Sequence, residues 1–331
     1  MQLGIVGNNL YGQIFYRTFT GLEDIDVVAI CPELDETLEP FAIEHKIKAY
    51  KSFEAMLADE SLDIVVLASV TAQHADQAIA AMGAGAHVLV DRPMALSLAE
   101  CDSMTAASRR TGRTLMIGHV LQFWPEYIVI RNMAKHGAFG KIHAGTGWRI
   151  SGAINPAWQN RLLDAKNGLG CLEAHFHDID FLNAVFGKPA SVVAQGQKTP
   201  AGAWSQMHSQ LRYTNGLHIS MEANYSVPRN YPLSMHLRLD GDRGTVVYNF
   251  QGALAAQSRA IRTLLQFQND QEPILHDVEI TDAYAGMVQH FLECIRTQQQ
   301  PAFGSPEQSR AALEVLLAIS NSAELETKID L

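Results

Sequence analysis

The sequence predicts an α/β chain in two parts: a doubly wound parallel sheet, then an α+β domain with a large, mostly antiparallel open sheet. Three observations predict it. Over residues 1–120 short apolar runs alternate with helical periodicity, the rhythm of βαβ units. Beyond that point strand-like segments follow one another across short turns, which makes antiparallel neighbours covered on one face by helices. The length of 331 residues exceeds what one core ordinarily holds, so domains over 1–120 and 121–331 are expected.

In order, the apolar runs Leu3–Val6, Val27–Ile30, Ile64–Ala68, His87–Val90 and Leu115–Ile117 read as buried parallel strands. Helical spacing lies between them over Tyr11–Phe19, Phe53–Leu57, Ala75–Met82 and Leu98–Ala107. A helix over Glu126–Lys135 precedes an alternating strand, Ile142–Ile150, and an irregular stretch, Ser151–Gly170, leads into a further helix. Strands are then expected at Val192–Gln197, His208–Thr214, Leu217–Tyr225, Met235–Asp240 and Thr245–Asn249. Thr214-Asn215-Gly216 and Asp240-Gly241-Asp242-Arg243-Gly244 supply turns between them. Helices over Tyr284–Thr297 and Pro306–Ala323 close the chain.

Composition narrows the function. A 47% apolar and 18% charged chain buries a core and carries no disordered bulk. A net charge of −10 argues against nucleic acid or an anionic membrane as partner, since both select a basic surface. The four cysteines, Cys31, Cys101, Cys171 and Cys294, are widely spaced, which suggests reduced thiols and a cytoplasmic setting. The chain runs straight into its first strand without an export-like leader, and no apolar run reaches the roughly 20 residues of a membrane span.

The first strand runs into Gly7-Asn8-Asn9-Leu10-Tyr11-Gly12, the spacing of a dinucleotide-binding turn, with Asn9 where the middle glycine usually stands. Gly7 permits a sharp turn, Gly12 permits close packing of helix on sheet, and the helix N-terminus offers N–H groups to a pyrophosphate. By itself the segment also fits an ordinary strand–turn–helix with two packing glycines.

Three later segments extend the pattern: Ala68-Ser69-Val70-Thr71-Ala72-Gln73-His74, Val90-Asp91-Arg92-Pro93-Met94-Ala95, and Glu173-Ala174-His175-Phe176-His177-Asp178-Ile179-Asp180. With Gly118-His119-Val120-Leu121-Gln122 between them, the whole chain resembles the glucose–fructose oxidoreductase / inositol dehydrogenase (Gfo/Idh/MocA) family. The resemblance implies an N-terminal Rossmann domain and a nicotinamide enzyme interconverting alcohol and ketone on a sugar, polyol or related cyclic alcohol. It also implies a homo-oligomer, a dimer or tetramer, formed through the second domain's open sheet.

On this resemblance the cofactor is held by Gly7, Asn8, Asn9, Leu10, Tyr11, Gly12, Ser69, Val70, Thr71, His74, Asp91, Arg92 and Gln122. Pro32 and Glu33 fall where the second strand meets the ribose; with no arginine following, NAD is expected, and NADP is the alternative. The family's Glu-Lys-Pro reads Asp91-Arg92-Pro93 here; arginine keeps its charge, so Arg92 can orient and polarise an oxygen but not serve as base. Glu173 and His177 match the family's carboxylate–histidine pair at i and i+4, with His177 as acid/base and Glu173 in support. Arg92, Trp158, Arg161, His175, His177 and Tyr284 are the expected substrate contacts.

Other readings stand beside these. His74 also fits a structural hydrogen bond, and the Glu173–His177 face fits a solvated ion pair. Cys171, His175 and Asp178 share a helix face, but without a partner segment no metal is expected. A redox-neutral lyase or glycosidase retaining NAD, and a catalytically degraded binding relative, are the rival functions.

Overall fold

The computed structural model describes residues 1–32, 38–152, 161–252 and 260–331. The chain forms two compact units. The first comprises Met1–Val120, Lys166–Gly168 and Ala283–Leu313; the second comprises Leu121–Ala165, Leu169–Asp282 and Glu314–Leu331.

The first unit carries six strands: β1 (Gln2–Val6), β2 (Asp26–Cys31), β3 (Lys48–Ala49), β4 (Ile64–Leu67), β5 (His87–Val90) and β6 (Leu115–Ile117). All pair in parallel, in the order β3-β2-β1-β4-β5-β6. Strand order reverses between β1 and β4, so a ligand crevice is expected beyond Val6 and Leu67. Every residue of β4 is buried, as a strand covered on both faces requires. Helix α1 (Leu10–Thr20) buries Tyr11, Gly12, Phe15 and Phe19, one stripe at helical spacing. Phe15 and Phe19 are fully buried, each contributing about 1.5–3 kcal/mol.

Helices α2 (Glu39–His45), α3 (Phe53–Asp59), α4 (His74–Gly83) and α5 (Leu98–Thr111) complete the crossovers. Ser97 and Glu100 cap α5 reciprocally, and Gly112, at φ 67°, ends it. Sequence periodicity alone places the closing segment in the second domain, yet Ala283–Leu313 belongs to the first unit. Its helix, Ala283–Thr297, lies against α1, with the Tyr284 ring edge-on to Phe15 at 6.1 Å. The Ile117 N–H also donates to Gly304 O at 2.8 Å.

The second unit begins with α6 (Pro125–Lys135) and is built on nine strands. These are β7 (Ile142–Ile150), β8 (Ser191–Lys198), β9 (Trp204–Arg212), β10 (His218–Asn224), β11 (Leu233–Gly241), β12 (Thr245–Gly252), β13 (Ile261–Phe267), β14 (Ile274–Leu275) and β15 (Ile329–Asp330). Their order is β14-β13-β12-β11-β7-β10-β9-β8-β15, antiparallel except for the β7–β10 pair. Burial alternates along the second half of β9: Met207, Ser209 and Leu211 are buried, whereas His208, Gln210 and Arg212 are exposed.

Helix α7 (Leu172–Phe186) packs on β7 and β10 and against α6. Tyr127 of α6 meets Phe181 of α7 and Tyr248 of β12 at centroid distances of 4.7 and 5.3 Å. The chain closes with α8, the Ala283–Thr297 helix, and α9 (Pro306–Leu325). No helix among the described residues is long and apolar enough to cross a membrane.

Candidate active site

In the first unit the turn after β1 is shaped by its glycines. Gly7 has φ +94°, and a Cβ there would lie 2.6 Å from Ala68 O. A Cβ on Gly12 would lie 2.1 Å from Gly7 O, so α1 starts closer to the strand end than any side chain permits. Asn9 needs no such freedom, being extended at φ −71°, ψ −176°. It is the N-cap of α1: Oδ1 accepts from Tyr11 N at 2.9 Å and Gly12 N at 3.1 Å. Its Nδ2 donates to Ala68 O, tying the β1 and β4 ends together. The Leu10 N–H, first of the helix, stands outside this cap.

The other strand ends converge on the same side of the sheet. Ser69 Oγ donates to Gln77 Oε1 at 2.6 Å, and Val70 precedes a 3₁₀ turn over Thr71–Gln73. His74 is fully enclosed, with Nδ1 2.9 Å from Pro93 O and Nε2 3.0 Å from Ser69 O. Burial pushes its pKa down. A neutral ring donates to one of these two carbonyls, so His74 ties the start of α4 to a neighbouring strand end, the structural hydrogen bond that the sequence also allowed.

After β5, burial raises the Asp91 pKa against the lowering effect of Arg92. Arg92 is buried, precedes a cis Pro93, and donates from Nη2 to Tyr11 Oη at 2.7 Å. Its Cζ also lies 4.9 Å from the Tyr11 ring centroid. Sequence reasoning missed this pair, since 81 positions separate its members. Asn8 contributes its carbonyl, which accepts from Gln13 Nε2 at 3.2 Å. Pro32 is half-buried at the end of β2, and Glu33 lies outside the described residues. The cradle of Gly7, Asn9 and Gly12 at the strand-order reversal fits a dinucleotide: close backbone, a helix N-terminus and a guanidinium are all present.

In the second unit α7 is buried along its length from Leu172 to Leu182. One face meets the sheet. Arg149 of β7 holds Asp178 by two bonds, Nε to Oδ2 at 3.1 Å and Nη2 to Oδ1 at 2.8 Å. His175 Nε2 lies 3.1 Å from Ser209 Oγ of β9. Burial lowers the His175 pKa to about 4, so the ring is neutral. His175 is therefore a buried, sheet-facing residue. Its companion Asp178 is committed to Arg149, and among the described residues no group of three metal-ligating side chains is set to hold an ion.

Helical geometry places Glu173, His177 and Asp180 on the opposite face, away from the sheet. Glu173 Oε1 accepts the Leu169 N–H at 3.1 Å. His177 retains 9% exposure. Asp180 Oδ2 accepts from Gln122 Nε2 at 2.8 Å, while Gln122 Oε1 accepts from Arg131 Nη1 at 2.6 Å. Both ends of the Gln122 amide are thus engaged within the second unit.

The remaining expected substrate residues divide. Trp158 lies outside the described residues. Arg161 is half-buried, and its carbonyl accepts the Asp164 N–H at 3.1 Å. Tyr284 is buried, with its ring edge-on to Phe15.

Comparison with known proteins fits this division. Residues 1–119 match the family described as "Oxidoreductase family, NAD-binding Rossmann fold". Residues 127–247 match the "GFO/IDH/MocA C-terminal domain". The inositol 2-dehydrogenase of Salmonella typhimurium is 23% identical over 318 residues, covering 91% of this chain and 88% of that protein. A glycosyl hydrolase family 109 protein of Shewanella baltica is 27% identical over 179 residues, 51% of this chain and only 38% of that protein. Aldose-aldose oxidoreductase from Caulobacter crescentus, solved with glycerol, superposes with a TM-score of 0.84 at 22% identity, covering 100% of this chain and 99% of that one.

Proposed function

Because the chain belongs to the Gfo/Idh/MocA oxidoreductase family, whose first domain is an NAD-binding Rossmann fold, we propose that it interconverts an alcohol and a ketone on a sugar, polyol or related cyclic alcohol. The observation that carries this reading is the Gly7–Asn9–Gly12 cradle, packed as only glycine allows at the strand-order reversal. The polyol and aldose named for the inositol dehydrogenase and the aldose oxidoreductase support the substrate class.

When bound, NAD(H) supplies or accepts the hydride. The Leu10 N–H, which the Asn9 cap leaves out, would meet the pyrophosphate at the helix N-terminus; Gly7 and Gly12 would let it approach the backbone, and Asn8, Asn9, Pro32, Ser69, Val70 and Thr71 would flank it. His177 takes the hydroxyl proton during oxidation and returns it during reduction. Glu173, one turn earlier on α7, supports the ring. Arg92 donates to the reacting oxygen and stabilises negative charge as it develops, with Tyr11 fixing the guanidinium. Arg161 supplies a further substrate hydrogen bond.

The test is absorbance of reduced nicotinamide while a panel of sugars and polyols is offered to purified protein. Turnover of at least one supports the reading, and silence from cofactor-loaded protein overturns it. The hydrolase relative favours a second reading, redox-neutral elimination with NAD retained. It predicts turnover of a glycoside with no net change in NADH and loss of activity when the cofactor is stripped. For assembly, the polar outer face of the nine-stranded sheet is the proposed contact between copies, read by light scattering.

A further inference from the structure

A cleft of about 540 Å³ opens on the first unit where β5 begins and where α5 and α8 end. It lies at the opposite edge of the parallel sheet from the Gly7 turn, because His87 is the first residue of β5. His87, Arg109, Arg113 and Gln298 to Gln300 line it, with no carboxylate among the described lining residues.

Two donors confront each other there. The Thr114 N–H donates to His87 Nδ1 at 3.0 Å, so the neutral ring carries its proton on Nε2. That nitrogen lies 3.4 Å from Arg113 Nη1, itself a donor. Protonating the ring does not relieve the conflict. It would break the Thr114 bond, and burial together with the Arg113 charge pushes the His87 pKa down. An acceptor taking one proton from each side chain would satisfy both, and a negative one would be held by the permanent guanidinium charge.

Neighbouring charges are accounted for. Arg109 pairs with Glu307 at 2.9 Å, and Asp63, whose field reaches His87, accepts the Gln2 N–H at 2.8 Å. Complementing the helix dipole explains Arg109 and Arg110 in the last turn of α5. It does not explain Arg113, which lies beyond the Gly112 cap and meets His87 instead.

We propose that this cleft binds the phosphate group of a small molecule, free phosphate or a phosphate ester, between His87 Nε2 and the Arg113 guanidinium. The volume falls in the range of small-ligand sites and leaves room beyond one phosphate.

The experiment is calorimetric titration with inorganic phosphate, a hexose phosphate and chloride at matched ionic strength, with NADH saturating so that the Gly7 cradle is filled. Wild-type protein should bind phosphate saturably above the chloride background. Arg113→Gln should weaken it about tenfold or more, the loss of a charge-assisted contact, with NADH affinity unchanged. Tighter binding of the hexose phosphate identifies an ester as ligand; equal binding identifies free phosphate. Should Arg113→Gln fail to fold, Arg113→Lys keeps the charge but loses the fork, and the same weakening is expected. Binding no stronger than chloride, or an effect these variants leave intact (an adventitious ion only), overturns the proposal. The titration reads phosphate and needs no turnover, so failure of the dehydrogenase reading leaves its result standing.

Discussion

Replacing Asn9 with glycine separates what this side chain does for the helix from what the backbone does for the cofactor. In the free protein Asn9 Oδ1 occupies the Tyr11 and Gly12 N–H groups, and Nδ2 holds Ala68 O. Glycine is nearly as good an N-cap, costing a few tenths of a kcal/mol, and the lost Ala68 bond adds about 1 kcal/mol. The first unit should therefore lose about 1–1.5 kcal/mol, a few degrees of Tm. Cofactor affinity should move the other way. The freed N–H groups would meet phosphate oxygens in charge-assisted bonds stronger than the neutral ones they replace, a gain of about 1 kcal/mol or about fivefold. Asn9→Asp is the control: it keeps the cap but loses the Ala68 bond and sets a carboxylate against both that carbonyl and the pyrophosphate, so stability falls by about 1 kcal/mol or more while affinity falls about tenfold or more. Scanning calorimetry reads the first effect and titration with NADH the second. Weaker NADH binding by Asn9→Gly would refute the reasoning, because it would make the asparagine amide itself a cofactor ligand.

Four further outcomes follow, three from the second unit and one from a strand end. Asp178→Asn strands the buried Arg149 charge and should cost about 3–5 kcal/mol in chemical denaturation, far more than an exposed pair would. His175 has a folded pKa near 4 against an ordinary 6.5, so the unfolded chain takes up its proton first. Its share of stability is complete above pH 6.5 and falls away as pH drops toward 4; His175→Asn should remove about one proton from the stability–pH slope in that window. His177→Asn should reduce turnover about 10²–10⁴-fold while NADH affinity stays put, measured by steady-state rates and titration. Arg92→Lys should lower kcat if the guanidinium fork is adapted to the substrate, and raise it if lysine is the better proton carrier, which steady-state kinetics on an active substrate would decide.

What the sequence made legible was periodic or local. Gly7 and Gly12 stand at a spacing whose geometric reason, a Cβ 2.1 Å from a carbonyl, the structure then supplies. Burial alternates along the second-domain strands as period two demands. Asn9 was read only against the missing glycine, although asparagine before a helical run is an N-cap signal.

What escaped was long-range pairing. Gln122 answers to Arg131, nine positions away, and to Asp180, 58 away, and no local pattern announces either. Cys171, His175 and Asp178 plainly share a helix face, but Arg149 and Ser209 decide that this face meets the sheet. An amphipathic stripe over Ala283–Thr297 says that the helix packs, not that α1 receives it.

The account stands most directly on titration of NADH into purified protein, followed by resonance energy transfer from tryptophan, with Gly12→Ala in parallel. It predicts a single saturable site in the native chain. Gly12→Ala should stay folded but lose that site, because its methyl must push α1 off the Gly7 carbonyl. No saturable binding by the native chain, or equal binding by the variant, would contradict it.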